Sequence, residues 1–492
     1  MRELLIGLDG GTGGMRAFVF DKQGNVLGSA DAPYETLYPQ SGWAEQRPAD
    51  WWQAVCTSLK EAMAQAGAKA EQIAALCAAT TSCTVLTCGR DGHTGDNALL
   101  WMDVRAAGQA KAIHAATGES PSAEHFPSKA LWLKENCPDR WQAAEVLCEY
   151  QDWLNHRLTG RWCFSVNTAC NWGYNKRRGD FYRDFYAAFG MEDALEKMPA
   201  EAVCAGDPVG YLTAEAAAQL GLDTQVLVAQ GGIDASIGML GMGVSKPGTA
   251  AMMTGSSNLI MAATEKPIFC GEDAFNAGPD FLLEGCYTSV QGQVSTGSIL
   301  RWFRREFARD LDEKDCFKLL DRAAAEVEIG AGGLTLLDYW QGNRTPHQDA
   351  DVRGVVYGLS MSTTREAIFR AVLEGIACGT EDMLEQFRKA GAPVEELYVS
   401  GGTTRSPLFM QIHADISGIP MKITSDYSVA LGSAVCAAHA AGFYPSVPTA
   451  VESMVRPAGT VLPDPARHEA YKPVVERYRG LYAALRPWVH QN

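Results

Sequence analysis

Residues 4–20 read LLIGLDGGTGGMRAFVF: two short apolar runs with branched side chains, separated by a cluster of glycines, one acid (Asp9) and one hydroxyl (Thr12). Apolar runs closed by such a turn predict a β-hairpin. The glycines expose several backbone N–H groups and admit a phosphate with no Cβ in its way. Asp9 alone would repel that phosphate, so its place at the strand end asks for a Mg²⁺ between the two. The plain alternative is a Gly-rich hairpin whose Asp satisfies its own turn. The stretch is no Walker loop, because no G-K-[ST] follows. It is no dinucleotide fingerprint either, because a strand rather than a helix comes next.

A comparable layout begins near residue 250, where GTAAMMTGSSNLIMAAT is again strand, Gly/Ser turn, strand. Between the two, RPADWWQAVCTSLKEAMAQAG sets Trp51, Val55, Leu59 and Met63 along one helical face, with Asp50 as N-cap and Gly67 as stop. IAALCAATTSCTVLTC has strand character and GRDG is a turn. Later come a long helix (TTREAIFRAVLEGIACGTEDMLEQFRKAG), a strand (ELYVSGG) and a helix from Pro407. Strands first, then alternating helices and strands, indicate an α/β architecture with a mixed sheet. The likeness of the halves lies in layout and not in letters, which suggests an internal duplication. GVSKPG offers a loop for a boundary, giving domains at 1–245 and 246–462 and an amphipathic helical tail at 463–492.

Three more stretches hold candidate chemistry. TGSSN (254–258) occupies the turn of the second hairpin; alone it reads as an ordinary Ser/Gly turn, while with the first it would grip the two ends of a polyphosphate. In VLVAQGGIDASIGMLGMG an apolar strand runs through Gly231-Gly232 to Asp234 at a helix start. An acid so placed accepts a proton from a substrate hydroxyl in phosphoryl transfer, or merely caps the helix; spacing alone favours the cap. In ELYVSGGTTRSPLFMQIHADISG a strand ends in Gly401-Gly402, where an adenine or ribose lies flat on backbone or where a plain strand-to-helix turn occurs.

The chain has 492 residues, enough for two large domains, with 47% hydrophobic and 20% charged residues. A net charge of −16 argues against a nucleic-acid or anionic-membrane binder, while local N–H groups and a metal ion still suffice for a nucleotide. The 14 cysteines are scattered, with no CxxC pair and no Cys/His cluster, so they read as reduced core thiols of a cytoplasmic protein. No stretch approaches the ~20 apolar residues of a membrane span, and the start MRELLIGLDGG has no signal-peptide pattern.

Taken together and in order, GLDGGTGGMRAFVFD, GGIDASIGMLGMG, TGSSN, STGSILRWF, GNRTPHQDADVRGVVYGL, RAVLEGIA, SGGTTRSPLFMQIHADISG and SVALGSAVCAAHAAG resemble the FGGY carbohydrate kinases over nearly the whole chain. That family shares the two-domain actin-like (ribonuclease H-like) ATPase fold, with an interdomain cleft, of hexokinase, glycerol kinase and the Hsp70 ATPase. The resemblance implies ATP and Mg²⁺, with Asp9 positioning the metal through water. Gly10, Gly11, Thr12 and Gly13, with Arg16 nearby, fall on the first phosphate loop, and Gly255, Ser256 and Ser257 on the second. Gly401, Gly402 and Ser406 fall on the adenosine motif, with Gly297 near the nucleotide. Asp234 falls on the catalytic base, which reverses the reading as a cap. Departures are small: Gly13-Gly14 stands where many members have a hydroxyl pair, and Gly-Gly-Thr-Thr where Gly-Gly-Gly-Ala is common.

The substrate segment reads AATTSCTVL, lacking the Gln-Met-His of xylulose kinases and the Arg-Glu of glycerol kinases. Thr81 and Ser82 offer a hydroxyl-bearing lining there. LLWMDVRA resembles the Trp-x-Asp element of pentulose kinases, so Trp101 would pack on the carbon skeleton and Asp103 accept hydroxyl protons, unless they are a buried Trp and a cap. CNWGYN adds Trp172, and the tone is nearest the ribulokinase side of the family. The expectation is a ketopentose kinase, ribulose-type before xylulose-type, with tetritols and other polyols open; the non-kinase alternative is an actin-like ATPase or a sugar sensor. The expected partner is a small sugar and neither nucleic acid nor membrane, with a homodimer open.

Overall fold

The computed structural model describes residues 2–119, 121–270, 273–274, 276–277 and 279–491. The chain forms two compact units, each discontinuous in sequence: residues 1–241, 277–285 and 427–455 in one, and 242–276, 286–426 and 456–492 in the other. The sequence alone suggests continuous segments at 1–245, 246–462 and 463–492. What that division lacks is the return of residues 427–455 to the first unit, a long-range packing event that no local pattern marks.

In the first unit the predicted hairpin is β1 (Leu4–Gly11) and β2 (Gly14–Asp21), turning at Thr12-Gly13. With β3 (Val26–Pro33), β4 (Ile73–Thr80), β5 (Pro208–Tyr211) and β6 (Leu227–Ala229) it builds a sheet ordered β5-β6-β4-β1-β2-β3. β1 is antiparallel to β2 and parallel to β4, and β4 is parallel to β6. Ile6, Leu8, Met15 and Val19 are fully buried, packed with Trp51, Val55 and Leu59 of α1 (Pro48–Ala66). That helix starts two residues before the expected Asp50 cap, because Pro48 at its first turn has φ preset and needs no amide partner. Gly67 ends it in the left-handed region, φ 59°.

The other face of β1 is covered by α7 (Ser428–Ala440), the returning segment. The approach is so close that a Cβ on Gly7 would lie 1.9 Å from the Ala430 carbonyl oxygen. Ser433 donates its hydroxyl to the Leu8 carbonyl at 3.0 Å.

The second unit repeats the plan. Its hairpin is β7 (Thr249–Thr254) and β8 (Asn258–Thr264), turning at Gly255–Ser257. Its main strands run β9-β8-β7-β10-β11-β12, with β9 Tyr287–Gln293, β10 Glu396–Ser400, β11 Met421–Ile423 and β12 Gly459–Val461. β7 is antiparallel to β8 and parallel to β10, and β10 is parallel to β11. The first four strands of each sheet therefore have the same sense in the same chain order, which gives the internal likeness a structural basis; the last two are exchanged, since β5 at the edge precedes β6 whereas β12 at the edge follows β11. The predicted tail is α8 (Pro465–Val489), capped by Asp464, and its Tyr471, Val474, Tyr478 and Tyr482 join the core of this unit. α5 (Arg365–Lys389) is the long helix expected from the sequence.

Candidate active site

The carboxyl ends of β1, β4 and β6 meet. Thr81 donates its backbone N–H to the Gly10 carbonyl at 3.2 Å, and Thr80 donates to that of Gly232 at 3.0 Å. Strand ends of this kind are where open α/β sheets place ligands. Asp9 from β1 and Asp234, first residue of α3 (Asp234–Met242), both lie here. Asp9 is 3% exposed and forms an ion pair with Arg16, its register partner across the hairpin. Burial raises its carboxyl above the usual range, against the pull of the Arg16 guanidinium.

Asp234 is partly exposed, and among the described residues its carboxylate accepts one N–H, that of Ala235 at 2.7 Å. A capping carboxylate would reach the second or third amide of the helix. Burial first, and then the charge of Asp9, push its carboxyl up to about 7. Such a group is poised to take a proton near neutral pH. Asn167, which the sequence reading missed, fixes the approach to it: its Oδ1 accepts from the Ile233 N–H at 2.9 Å.

The Thr12-Gly13 turn is held from three sides. Gln46 donates to the Thr12 carbonyl at 2.7 Å, the Tyr34 hydroxyl to the Gly11 carbonyl at 2.5 Å, and the Trp101 indole to the Thr12 hydroxyl at 3.0 Å. An added Cβ on Gly13 would meet nothing within 4 Å, so the space around it is open. Trp101 thus stands beside the turn, 39% exposed.

Of the other expected substrate residues, Ser82 is half-buried at the loop surface, while Thr81 is buried with its hydroxyl 2.9 Å from that of Thr84. Next to them Cys83 has φ 52°, in the left-handed region that costs a non-glycine residue roughly 1–2 kcal/mol. Two buried titratable side chains hold it there. The Glu149 carboxylate accepts its N–H at 2.8 Å, and the Lys129 ammonium, on α2 (Phe126–Asn136), donates to its carbonyl at 2.7 Å and to that of Leu100. Burial lowers Lys129 to about 8 and raises Glu149 to about 8.

Two expectations need correcting. Trp172 is 0% exposed: it donates its indole N–H to Glu149 at 2.6 Å and stacks on Phe126, so it belongs to the core and does not line a pocket. Asp103 is also 0% exposed, and its carboxylate is taken up by the Ala44 N–H at 2.7 Å and by Arg105 at 2.7–3.0 Å. Arg105 lies over the Trp43 ring, 3.6 Å from its centroid. Asp103 therefore anchors Arg105 and has no lone pair facing solvent for a sugar hydroxyl.

In the second unit Gly255, Ser256 and Ser257 are exposed at the β7–β8 turn. The start of α4 (Gly297–Phe307) clasps that turn: Thr296 and Ser298 donate N–H groups to the Ser256 carbonyl at 2.9 and 3.2 Å, and Gly297 donates to that of Gly255 at 3.0 Å. The Thr254 and Thr403 hydroxyls lie 2.6 Å apart, bringing Gly401 and Gly402 to the same place. The glycines there are of two kinds. A Cβ on Gly297 or Gly401 would strike backbone at 2.1 or 1.9 Å, so packing requires them. A Cβ on Gly255 or Gly402 would meet nothing within 4 Å, and neither has a positive φ, so the protein's own packing does not require them. Ser406, expected at the adenosine, caps α6 (Pro407–Ser417), accepting the Phe409 N–H at 3.0 Å.

Residues 4–241 match the N-terminal domain, and residues 250–441 the C-terminal domain, of the FGGY family of carbohydrate kinases. A ribulokinase of Mycolicibacterium smegmatis is 32% identical over 99% of this chain and 94% of its own length. A xylulose kinase of Bacillus subtilis (strain 168) is 26% identical over 97% and 96%. The solved xylulose kinase of Rhodospirillum rubrum aligns at a TM-score of 0.85 and 28% identity, over 99% of this chain and 100% of that one. Among the described residues no helix is long and apolar enough to cross a membrane, and the described cysteines are free thiols.

Proposed function

The chain belongs to the FGGY family of carbohydrate kinases, whose phosphate donor is ATP, and on that premise we propose that it phosphorylates a terminal hydroxyl of a ketopentose, ribulose first and xylulose second. The observation that carries the reading is Asp234: a carboxylate with a single backbone bond among the described residues, pushed up to about 7, at strand ends it shares with a second acid. It takes the proton of the attacking hydroxyl, a contribution of roughly 10²–10⁴ in rate. The order of the two sugars follows the greater identity to the ribulokinase and the absence of a Gln-Met-His segment at Thr81–Cys83.

The Thr12-Gly13 turn and Gly255–Ser257 offer N–H and hydroxyl groups to phosphate oxygens, and the open space at Gly13, Gly255 and Gly402 suits a ligand lying on backbone. Asp9 fits Mg²⁺: it is a hard oxygen donor next to a second carboxylate, in a pair whose negative charges oppose each other. When bound, the ion neutralises phosphate charge. Ser82 and Trp101 are the side chains offered to the sugar. Free buried thiols suit a cytoplasmic protein.

The test is ADP release from ATP–Mg²⁺ with ribulose, xylulose, erythritol or no sugar. Stimulation by one ketopentose supports the reading. Hydrolysis indifferent to every sugar overturns it.

A further inference from the structure

A buried line of polar groups runs through the second unit from the C-terminal helix to the residue that follows the β7–β8 turn. Tyr478 of α8 donates its hydroxyl to Asp338 Oδ1 at 2.5 Å. Gln293, last residue of β9, donates to Asp338 Oδ2 at 2.9 Å and to the Ile376 carbonyl at 3.0 Å. The Gln293 Oε1 accepts from Asn258 Nδ2 at 3.0 Å and from the Thr380 hydroxyl at 2.8 Å. Asn258, the register partner of Gln293, directly follows Ser257. All five side chains are at most 4% exposed.

Gln293 thereby uses both donors and both acceptor positions of its amide. Among the described residues, Asn258 Oδ1, at the turn end, is the atom of the line without a protein partner. A place is kept for the line in α5: a Cβ on Gly379 would fall 2.4 Å from Gln293 Nε2 and 2.9 Å from Asp338 Oδ1. Glycine inside a helix is unfavourable relative to alanine, so its presence here needs a packing reason. Apolar side chains would fill this volume at less desolvation cost, so the line's contribution is directional. Hydrogen bonds fix angle as well as distance, and here they fix the first residue of β8 to a helix more than two hundred positions later in the chain.

We infer that Asp338, Gln293 and Tyr478 are positioning residues for the nucleotide's phosphates, acting through Asn258 on the Gly255–Ser257 turn, so that the C-terminal helix is part of the phosphate-binding apparatus. This rests on the proposed role of that turn in binding ATP. Other bonds also tie α8 down: Tyr471 to Arg370 at 2.6 Å, Arg479 to Asp382 at 2.6 Å and Tyr482 to Asp349 at 2.9 Å. Loss of one hydroxyl therefore leaves the helix docked, and Tyr482 supplies a control on the same helix whose bond does not lead to the turn.

The experiment compares Tyr478→Phe, Tyr482→Phe and Gly255→Val by Tm and by KM for ATP and for ribulose. Tyr478→Phe is expected to raise KM for ATP about three- to tenfold, the effect of one lost buried hydrogen bond, with KM for ribulose unchanged. Tyr482→Phe should move neither constant. An unchanged KM for ATP in Tyr478→Phe, or an equal rise in Tyr482→Phe, overturns the inference. Gly255→Val separates the two levels: if it raises KM for ATP while Tyr478→Phe does not, only this inference falls; if it too leaves KM for ATP unchanged, the assignment of the turn to ATP falls with it.

Discussion

The Trp101 indole donates its N–H to the Thr12 hydroxyl at 3.0 Å, tying an aromatic expected at the sugar to a hydroxyl expected at the phosphate. Trp101→Phe keeps an aromatic ring, though a smaller one, and removes that bond. It is expected to lower kcat/KM about two- to tenfold, and Thr12→Val by a similar factor. Measured with ATP and ribulose, the double variant should lose little more than either single one, because both remove the same interaction.

Asp234 must be ionised to act as base, so kcat/KM should rise with pH through about 7. The neighbouring negative charge of Asp9 is one cause of that high value, so Asp9→Asn should move the acid limb of its residual rate to lower pH. The stability effect has the opposite sense. A carboxyl raised in the folded state contributes fully below its ordinary range, and that contribution is lost as pH rises through about 7. Asp234→Asn is therefore expected to raise Tm more at pH 8 than at pH 5, while transfer falls by roughly 10²–10⁴. Calorimetry at the two pH values checks the sign.

The two kinds of glycine make opposite predictions. Gly13→Ala and Gly402→Ala should keep the wild-type Tm, since the new Cβ meets nothing within 4 Å, and should weaken ATP. Gly297→Ala and Gly401→Ala put a Cβ 2.1 and 1.9 Å from backbone oxygens and should lower Tm before any question of nucleotide arises. Thermal shift with and without ATP distinguishes the pairs.

Lys129→Met removes the donor shared by the Cys83 and Leu100 carbonyls. Unmet buried carbonyls cost about 1–3 kcal/mol, to be read from urea unfolding. Because Cys83 then loses one of the two groups that hold it at φ 52°, the adjoining Ser82 shifts as well. KM for ribulose is expected to rise while KM for ATP stays put.

Hairpins, strand-end acids and the long helices are legible in the sequence because their causes are local: alternation of apolar residues, glycine at a turn, proline at a helix start. Asp234 shows where local reading stops. Its spacing suits a cap, and the proposal of a base rests instead on its bond to the Ala235 N–H, with Asp9 close enough to raise its carboxyl. Trp172 and Asp103 fail for the same reason from the other side, since the partners that bury them, Glu149 and Arg105, confer no pattern on the letters around them. Lys129 and Asn167 carried no signal at all: each acts on backbone tens of residues away. The layout of the two sheets was visible as a repeat, whereas the return of residues 427–455 to the first sheet was not.

That return has a consequence for synthesis. β1 leaves the ribosome early, but the helix that seats Ala430 against Gly7 follows only after some four hundred further residues. At ordinary translation speed this leaves an apolar sheet face uncovered for roughly twenty to ninety seconds. A nascent chain stalled before Ser428 should bind holdase chaperones or precipitate, and release of the remaining residues should end that dependence within one folding event.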